Sequence, residues 1–115
     1  MKKELAVTFS REQIKDYARA SGDVNPIHLD DEFARRVGLD GVIAHGMLQM
    51  GLAARLFEGS RLRSLSVRFS SPVRPGDVVT FSAEGEGRRF QIAATNQRGE
   101  AVLTRGQAEL VEAQS

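Results

Sequence analysis

Asp23 and His28 are separated by four residues, and one of those four is Pro26. A carboxylate and an imidazole are side chains that move protons near neutral pH. Pro26 fixes its own φ near about −65° and biases Asn25 toward an extended backbone. Residues 23–28 therefore cannot form one regular helix. A stiff loop of this kind can aim both side chains at one water. Asn25 can hydrogen-bond either group and hold its orientation. The same residues also suit a turn without chemistry. Asn25-Pro26 is a common turn former, and Asp23 can bond the backbone two residues on. On spacing alone the turn is the commoner outcome.

A second cluster is "IAHGM", Ile43 to Met47. Gly46 opens a long apolar run that reads as a helix. The first N–H groups of a helix have no intrahelical partner, and the dipole there favours negative charge. Such a helix start can hold an oxyanion. Equally, Gly46 can serve only to turn the chain, with His45 as a satisfied core or interface histidine. An acid/base pair together with an oxyanion donor strengthens both readings. His28 and His45 offer no third metal ligand at a recognisable spacing, so no metal and no other cofactor is expected. Met47 and Met50 suit the core, or a pliable wall for an acyl chain. Arg35-Arg36, Arg61 with Arg63, and Arg88-Arg89 are more often solvated faces than phosphate sites.

These residues need elements to place them. Leu5, Val7 and Phe9 alternate with polar neighbours, which predicts a strand near 4–9. Ser10 with Gln13 is a capping-box pattern opening a helix from Arg11 to about Ala20. Asp30-Asp31-Glu32 starts a short second helix that Gly38 ends. The run from Gly46 to about Glu58 is apolar on nearly every side, which predicts a helix buried all round. Further strands are expected near 63–70, 77–85, 89–96 and 100–111, with a hairpin-like break at Gly85 to Gly87. The economical assembly is α+β: one antiparallel sheet curved around the 46–58 helix. Its open edges point to a dimer.

The chain has 115 residues, enough for one domain over 1–115 with a real core. Its net charge of +1 leaves no electrostatic footprint for nucleic acid. The absence of cysteine excludes disulfides and a thiol nucleophile, and fits a reducing, cytoplasmic setting. No stretch approaches the ~20 apolar residues that span a bilayer.

The stretch "SGDVNPIHLDDEFARRVGLDGVIAHGMLQMG", residues 21–51, resembles the hydratase-2 motif of MaoC-like (R)-specific enoyl thioester hydratases and dehydratases. "VRFSSPVRPGDVV", residues 67–79, resembles the strand and turn that follow in that family. The resemblance implies a hot-dog domain and reversible hydration of trans-2-enoyl thioesters, on CoA or acyl carrier protein. It implies Asp23 and His28 as the catalytic pair, Gly46 as the N–H donor to the thioester carbonyl, and Asn25 as support. Ala44, His45, Met47 and Met50 are candidates to line the substrate. Homodimers with the site at the subunit interface are implied, and a heterodimer is compatible. Some members carry a hydroxyl residue where this chain has Ala54. A hot-dog thioesterase and an acyl-binding partner subunit are the alternative functions.

Overall fold

A computed structural model describes residues 1–114. The order is β1 (Lys2–Thr8), α1 (Arg11–Ser21), α2 (Asp31–Arg36), α3 (Gly46–Ala54), β2 (Leu62–Phe69), β3 (Val78–Thr95) and β4 (Ala101–Gln114). Short 3-10 turns occupy Pro26–His28 and Arg55–Phe57. The strands form one antiparallel sheet in the order β1-β3-β4-β2.

Local chemistry explains most boundaries. Ser10 Oγ accepts the Gln13 N–H at 3.0 Å and starts α1. Only that half of the capping box forms, for the Gln13 side-chain oxygen is buried without a partner among the described residues. Ile14 and Ala18, four apart, bury one face of α1. Gly22 ends it in the left-handed conformation, with its N–H on the Ala18 carbonyl. Asp30 caps α2 by accepting the N–H groups of Glu32 and Phe33.

The core lies between α3 and the inner face of the sheet. Leu48, Leu52 and Ala53 of α3 join Phe57, Phe81, Phe90, Leu103 and Leu110 in one cluster. Each buried large side chain contributes about 1.5–3 kcal/mol relative to exposure. At the sheet's end, buried Asp77 accepts from the Arg74 N–H, Gln97 Nε2 and Arg98 Nη1 at 3.0, 3.0 and 3.2 Å. Its own carbonyl takes the Phe9 N–H at 2.8 Å, fastening the exit of β1 to the entry of β3.

One expectation holds and one is corrected. The segments near 77–85 and 89–96 are the two arms of the continuous element β3, and the expected hairpin-like break lies between them. Its first arm, Val78 to Glu84, pairs with β1, and Gly87 to Thr95 pairs with β4. Gly85 lies at the reversal: a Cβ there would sit 2.2 Å from the Arg89 carbonyl oxygen, and Ser82 Oγ lies 3.4 Å from the Ala93 carbonyl oxygen, contacts that an extended chain cannot make. The central helix, by contrast, is not buried all round. Met47, Gly51 and Arg55 form an exposed stripe along it, because the sheet covers one side only. Its α-helical part ends at Ala54, and the 3-10 turn carries the run on to Phe57. No helix among the described residues is long and apolar enough to cross a membrane.

Candidate active site

The loop between α1 and α2 holds the acid/base pair. Asn25 Oδ1 accepts the Ile27 N–H at 3.1 Å and caps the 3-10 turn Pro26–His28. Asn25 thus supports the site through the backbone, and among the described residues its side chain makes no hydrogen bond to the Asp23 or His28 side chain. His28 is buried, and its Nδ1 lies 2.7 Å from the Ile43 carbonyl oxygen. A carbonyl only accepts, so Nδ1 carries the proton and Nε2 presents its lone pair. That Nε2 lies 4.0 Å from Asp23 Oδ2. The gap is too long for a direct hydrogen bond and suits a water touching both. Asp23 is also the turn residue that its neighbours suggested: its Oδ1 lies 3.4 Å from the Asn25 N–H.

His45 stands behind the pair. Its Nε2–H donates to the Asp23 backbone carbonyl at 2.9 Å. Its ring stacks on that of His28 with centroids 3.7 Å apart and planes 21° apart. Tyr17 of α1 meets its other side edge-on at 4.8 Å. His45 therefore ties the loop of Asp23 to the start of α3. It does not line the groove described below.

Asp31 fixes the strand of loop on the other side. Its carboxylate accepts the Val42 N–H at 2.9 Å and pairs with Arg11 at 3.1 Å. The Val42 N–H, with help from Arg11 and against partial burial, holds the Asp31 carboxyl below its ordinary range. One residue beyond Val42 is Ile43, whose carbonyl orients His28.

A groove of about 370 Å³ opens beside His28. Ile43, Ala44, Gly46, Gln49 and Phe69 are among its lining. Gly46 begins α3, so its N–H has no intrahelical partner, and the residue is part of the groove lining. The Phe69 ring closes over it: a Cβ on Gly46 would lie 2.9 Å from Phe69 Cζ. Ala44 lies where a substrate wall was expected. Met47 and Met50 are not part of this lining, and Met47 is 65% exposed. An exposed helix stripe carries Met47 outward, whatever its chemistry.

Three residues with a part here are not evident from sequence spacing: Phe69, Asp31 and Gln49. Gln49 carries the one readable signal, a polar residue inside "GMLQMGL". The structure also supplies a third metal-ligating type, for possible ligand atoms of Asp23, His28 and His45 lie within 4.8 Å of one another. The donor set does not fit an ion well. Stacked imidazoles point their ring nitrogens along nearly parallel lines, and His28 Nδ1 and His45 Nε2 are already engaged by carbonyls.

The chain is 35% identical to 3-hydroxybutyryl-CoA dehydratase of Methylorubrum extorquens, covering 94% of this chain and 73% of that protein. It is 33% identical to mouse peroxisomal multifunctional enzyme type 2, with 83% of this chain matched to only 14% of that longer protein. Among solved structures, (R)-hydratase PhaJ1 of Pseudomonas aeruginosa superimposes with a TM-score of 0.85 at 28% identity, covering 100% of this chain and 81% of that one. The (R)-hydratase of A. caviae involved in PHA biosynthesis gives 0.81 at 28% identity, over 96% and 92%. These neighbours share the hot-dog arrangement of a sheet around a helix. With residues 1–105 matching the MaoC-like domain, the chain belongs to the MaoC-like dehydratase family of hydro-lyases.

Proposed function

We propose that this chain catalyses the reversible hydration of trans-2-enoyl thioesters, on CoA or acyl carrier protein, to (R)-3-hydroxyacyl thioesters. One observation carries the reading: Asp23 Oδ2 and His28 Nε2 stand 4.0 Å apart beside a groove that also holds Gly46. The relatives' names agree with it.

The pair holds one water, with Asp23 and Nε2 of His28 as acceptors. As the water oxygen bonds to C3, the pair takes its proton, and the C2–C3 π electrons move toward the thioester oxygen. The Gly46 N–H and the α3 dipole meet that charge. The electrons then return to form the C2–H bond with a proton from the pair. Water is thus added as OH at C3 and H at C2. The Ile43 carbonyl keeps Nδ1 protonated throughout, which orients the ring and stabilises its positive form. Dehydration runs the same steps backward.

A second copy of the chain would complete the site. Asp23 is 55% exposed, and Val24, Met47 and Phe69 are exposed at 58%, 65% and 49%. An active site works best when bulk water is excluded. Apolar side chains around a half-open site suit cover by a second subunit, and a homodimer is the simplest form. A chain without cysteine that uses thioesters also fits the cytoplasm.

The test is the purified chain with crotonyl-CoA. Loss of the conjugated enoyl absorbance should accompany formation of (R)-3-hydroxybutyryl-CoA with no free thiol. Thiol release without hydroxyacyl product would mean a thioesterase and overturn the reading. Turnover only after adding a second subunit would make this chain part of a hetero-oligomer.

A further inference from the structure

Gln49 is the polar interruption in an otherwise apolar helix, and the mechanism above leaves it unused. It is 4% exposed, yet it lines the same groove as His28 and Gly46. Its Oε1 is closed off from solvent and has no hydrogen-bond partner among the described residues. Gln13 Oε1 and His45 Nδ1 share that state, but neither residue lines the groove. Buried polar groups are nearly always satisfied. A lining residue with one such end has hydrogen-bonding capacity that no described residue uses, and a ligand in the groove can take it up through the other end.

Helical side chains lean back over the preceding turn. Gln49 follows Gly46 by three residues, so its carboxamide leans toward the first turn of α3. Gly46 has no side chain to stand in the way. A half-turn of the carboxamide exchanges its oxygen and NH2 ends, so either end can face the groove.

We propose that the Gln49 carboxamide N–H is a second hydrogen-bond donor to the thioester carbonyl oxygen, beside the Gly46 N–H. The assignment rests on the hydratase reading above. Two donors at one oxygen fix the plane of the enoyl thioester against the water held by Asp23 and His28. Both strengthen as charge builds on that oxygen, so the gain belongs to the transition state more than to binding.

The decisive variant is Gln49→Met, which keeps the length and removes the amide. With crotonyl-CoA, kcat should fall by about 10²-fold, in line with loss of one oxyanion donor, while KM changes little. Thermal stability should hold or rise, because an unsatisfied buried amide has gone. A merely structural glutamine gives the opposite pattern, a lower Tm with turnover kept. A second readout needs no turnover: the infrared carbonyl stretch of bound butyryl-CoA, isotope-labelled at the thioester carbon. It should lie at lower frequency in the wild type than in Gln49→Met.

Active wild type with an unchanged kcat and carbonyl stretch in the variant overturns the Gln49 assignment and leaves the hydratase reading standing. A carbonyl shift that depends on Gln49 in a protein that hydrates nothing supports the contact and overturns the hydratase reading. Loss of kcat confined to enoyl chains bearing a hydroxyl overturns the carbonyl contact, since the amide would then read the chain instead. Wild type that neither hydrates crotonyl-CoA nor binds butyryl-CoA overturns both.

Discussion

One backbone oxygen decides which nitrogen of His28 is free to accept. The Ile43 carbonyl takes the Nδ1 proton, and Nε2 faces Asp23 across 4.0 Å. Asp23→Asn and His28→Ala should each lower kcat for crotonyl-CoA by about 10²–10⁴-fold. Near-wild-type far-ultraviolet circular dichroism in both would separate this from unfolding, and ordinary turnover in either would remove that residue from the mechanism. Gly46 makes a different demand, for space. A methyl group there presses on the Phe69 ring at 2.9 Å, and that ring lines the groove. Gly46→Ala should therefore push the ring into the substrate path and lower kcat/KM by up to about 10²-fold, a loss that small misplacements can cause. Adding Phe69→Ala should recover much of it. No recovery in the double variant would mean that Gly46 matters for something other than room.

At this scale the sequence was partly legible. Asp23, His28 and Gly46 stand out as candidates because few residue types can move a proton or meet an oxyanion, and a proline sits between the first two. His45 was visible but not its task, since a ring stack and a bond to a backbone carbonyl 22 positions away leave no local trace. Gln49 was passed over because apolar periodicity treats one polar residue as noise. Met47 and Met50 suited either the core or a pliable acyl wall by type, and type does not tell which way a helix is turned.

At the scale of elements, two aspartates act as fasteners. Asp31 joins α2 to the loop of Ile43, and Asp77 joins the entry of β3 to the turn before β4. Burial raises the Asp77 carboxyl, but the Arg74 N–H, Gln97 and Arg98 together outweigh it and hold the group below its ordinary 3.8. A carboxylate depressed in the folded state adds stability well above pH 3.8, and that stability is lost as pH falls through the folded value. Asp77→Asn should therefore destabilise the protein near neutrality by about 1.5–3 kcal/mol, the worth of hydrogen bonds to a charged group. It should also flatten the loss of stability below pH 4. Urea midpoints at neutral and acid pH check both, and parallel curves for the two proteins would dismiss Asp77 as an acid-sensitive fastener. The elements themselves were mostly readable, because alternation and capping are local signals. The break within β3 was readable too, from the glycines at 85 and 87. How closely its arms meet was not, for Arg89 comes back against Gly85 and leaves no room for a Cβ.

On the scale of the whole molecule, the single chain leaves its candidate site half open. The exposed stripe of α3 begins at Met47, next to Gly46, and Phe69 is exposed at the end of β2, an edge strand. Sedimentation at micromolar concentration should give twice the mass of one chain. Met47→Lys should shift it toward the monomer and lower activity along with it. A monomer of full activity would end the argument that a second copy completes the site.

The pairing of β1 with β3 has a further consequence, in time instead of space. Lys2 pairs with Glu84, so the first strand of the chain finds its partner 82 residues later. Contacts so distant along the chain carry a high loop-closure entropy and form late. The turn between β3 and β4 spans only Asn96 to Glu100, so those two strands can zip early. Pulsed hydrogen exchange during refolding should show amides of Phe90 and Ile92 protected before those of Leu5 and Val7. A segment made earlier would then become structured after the segments that follow it, and β1 would close the sheet last.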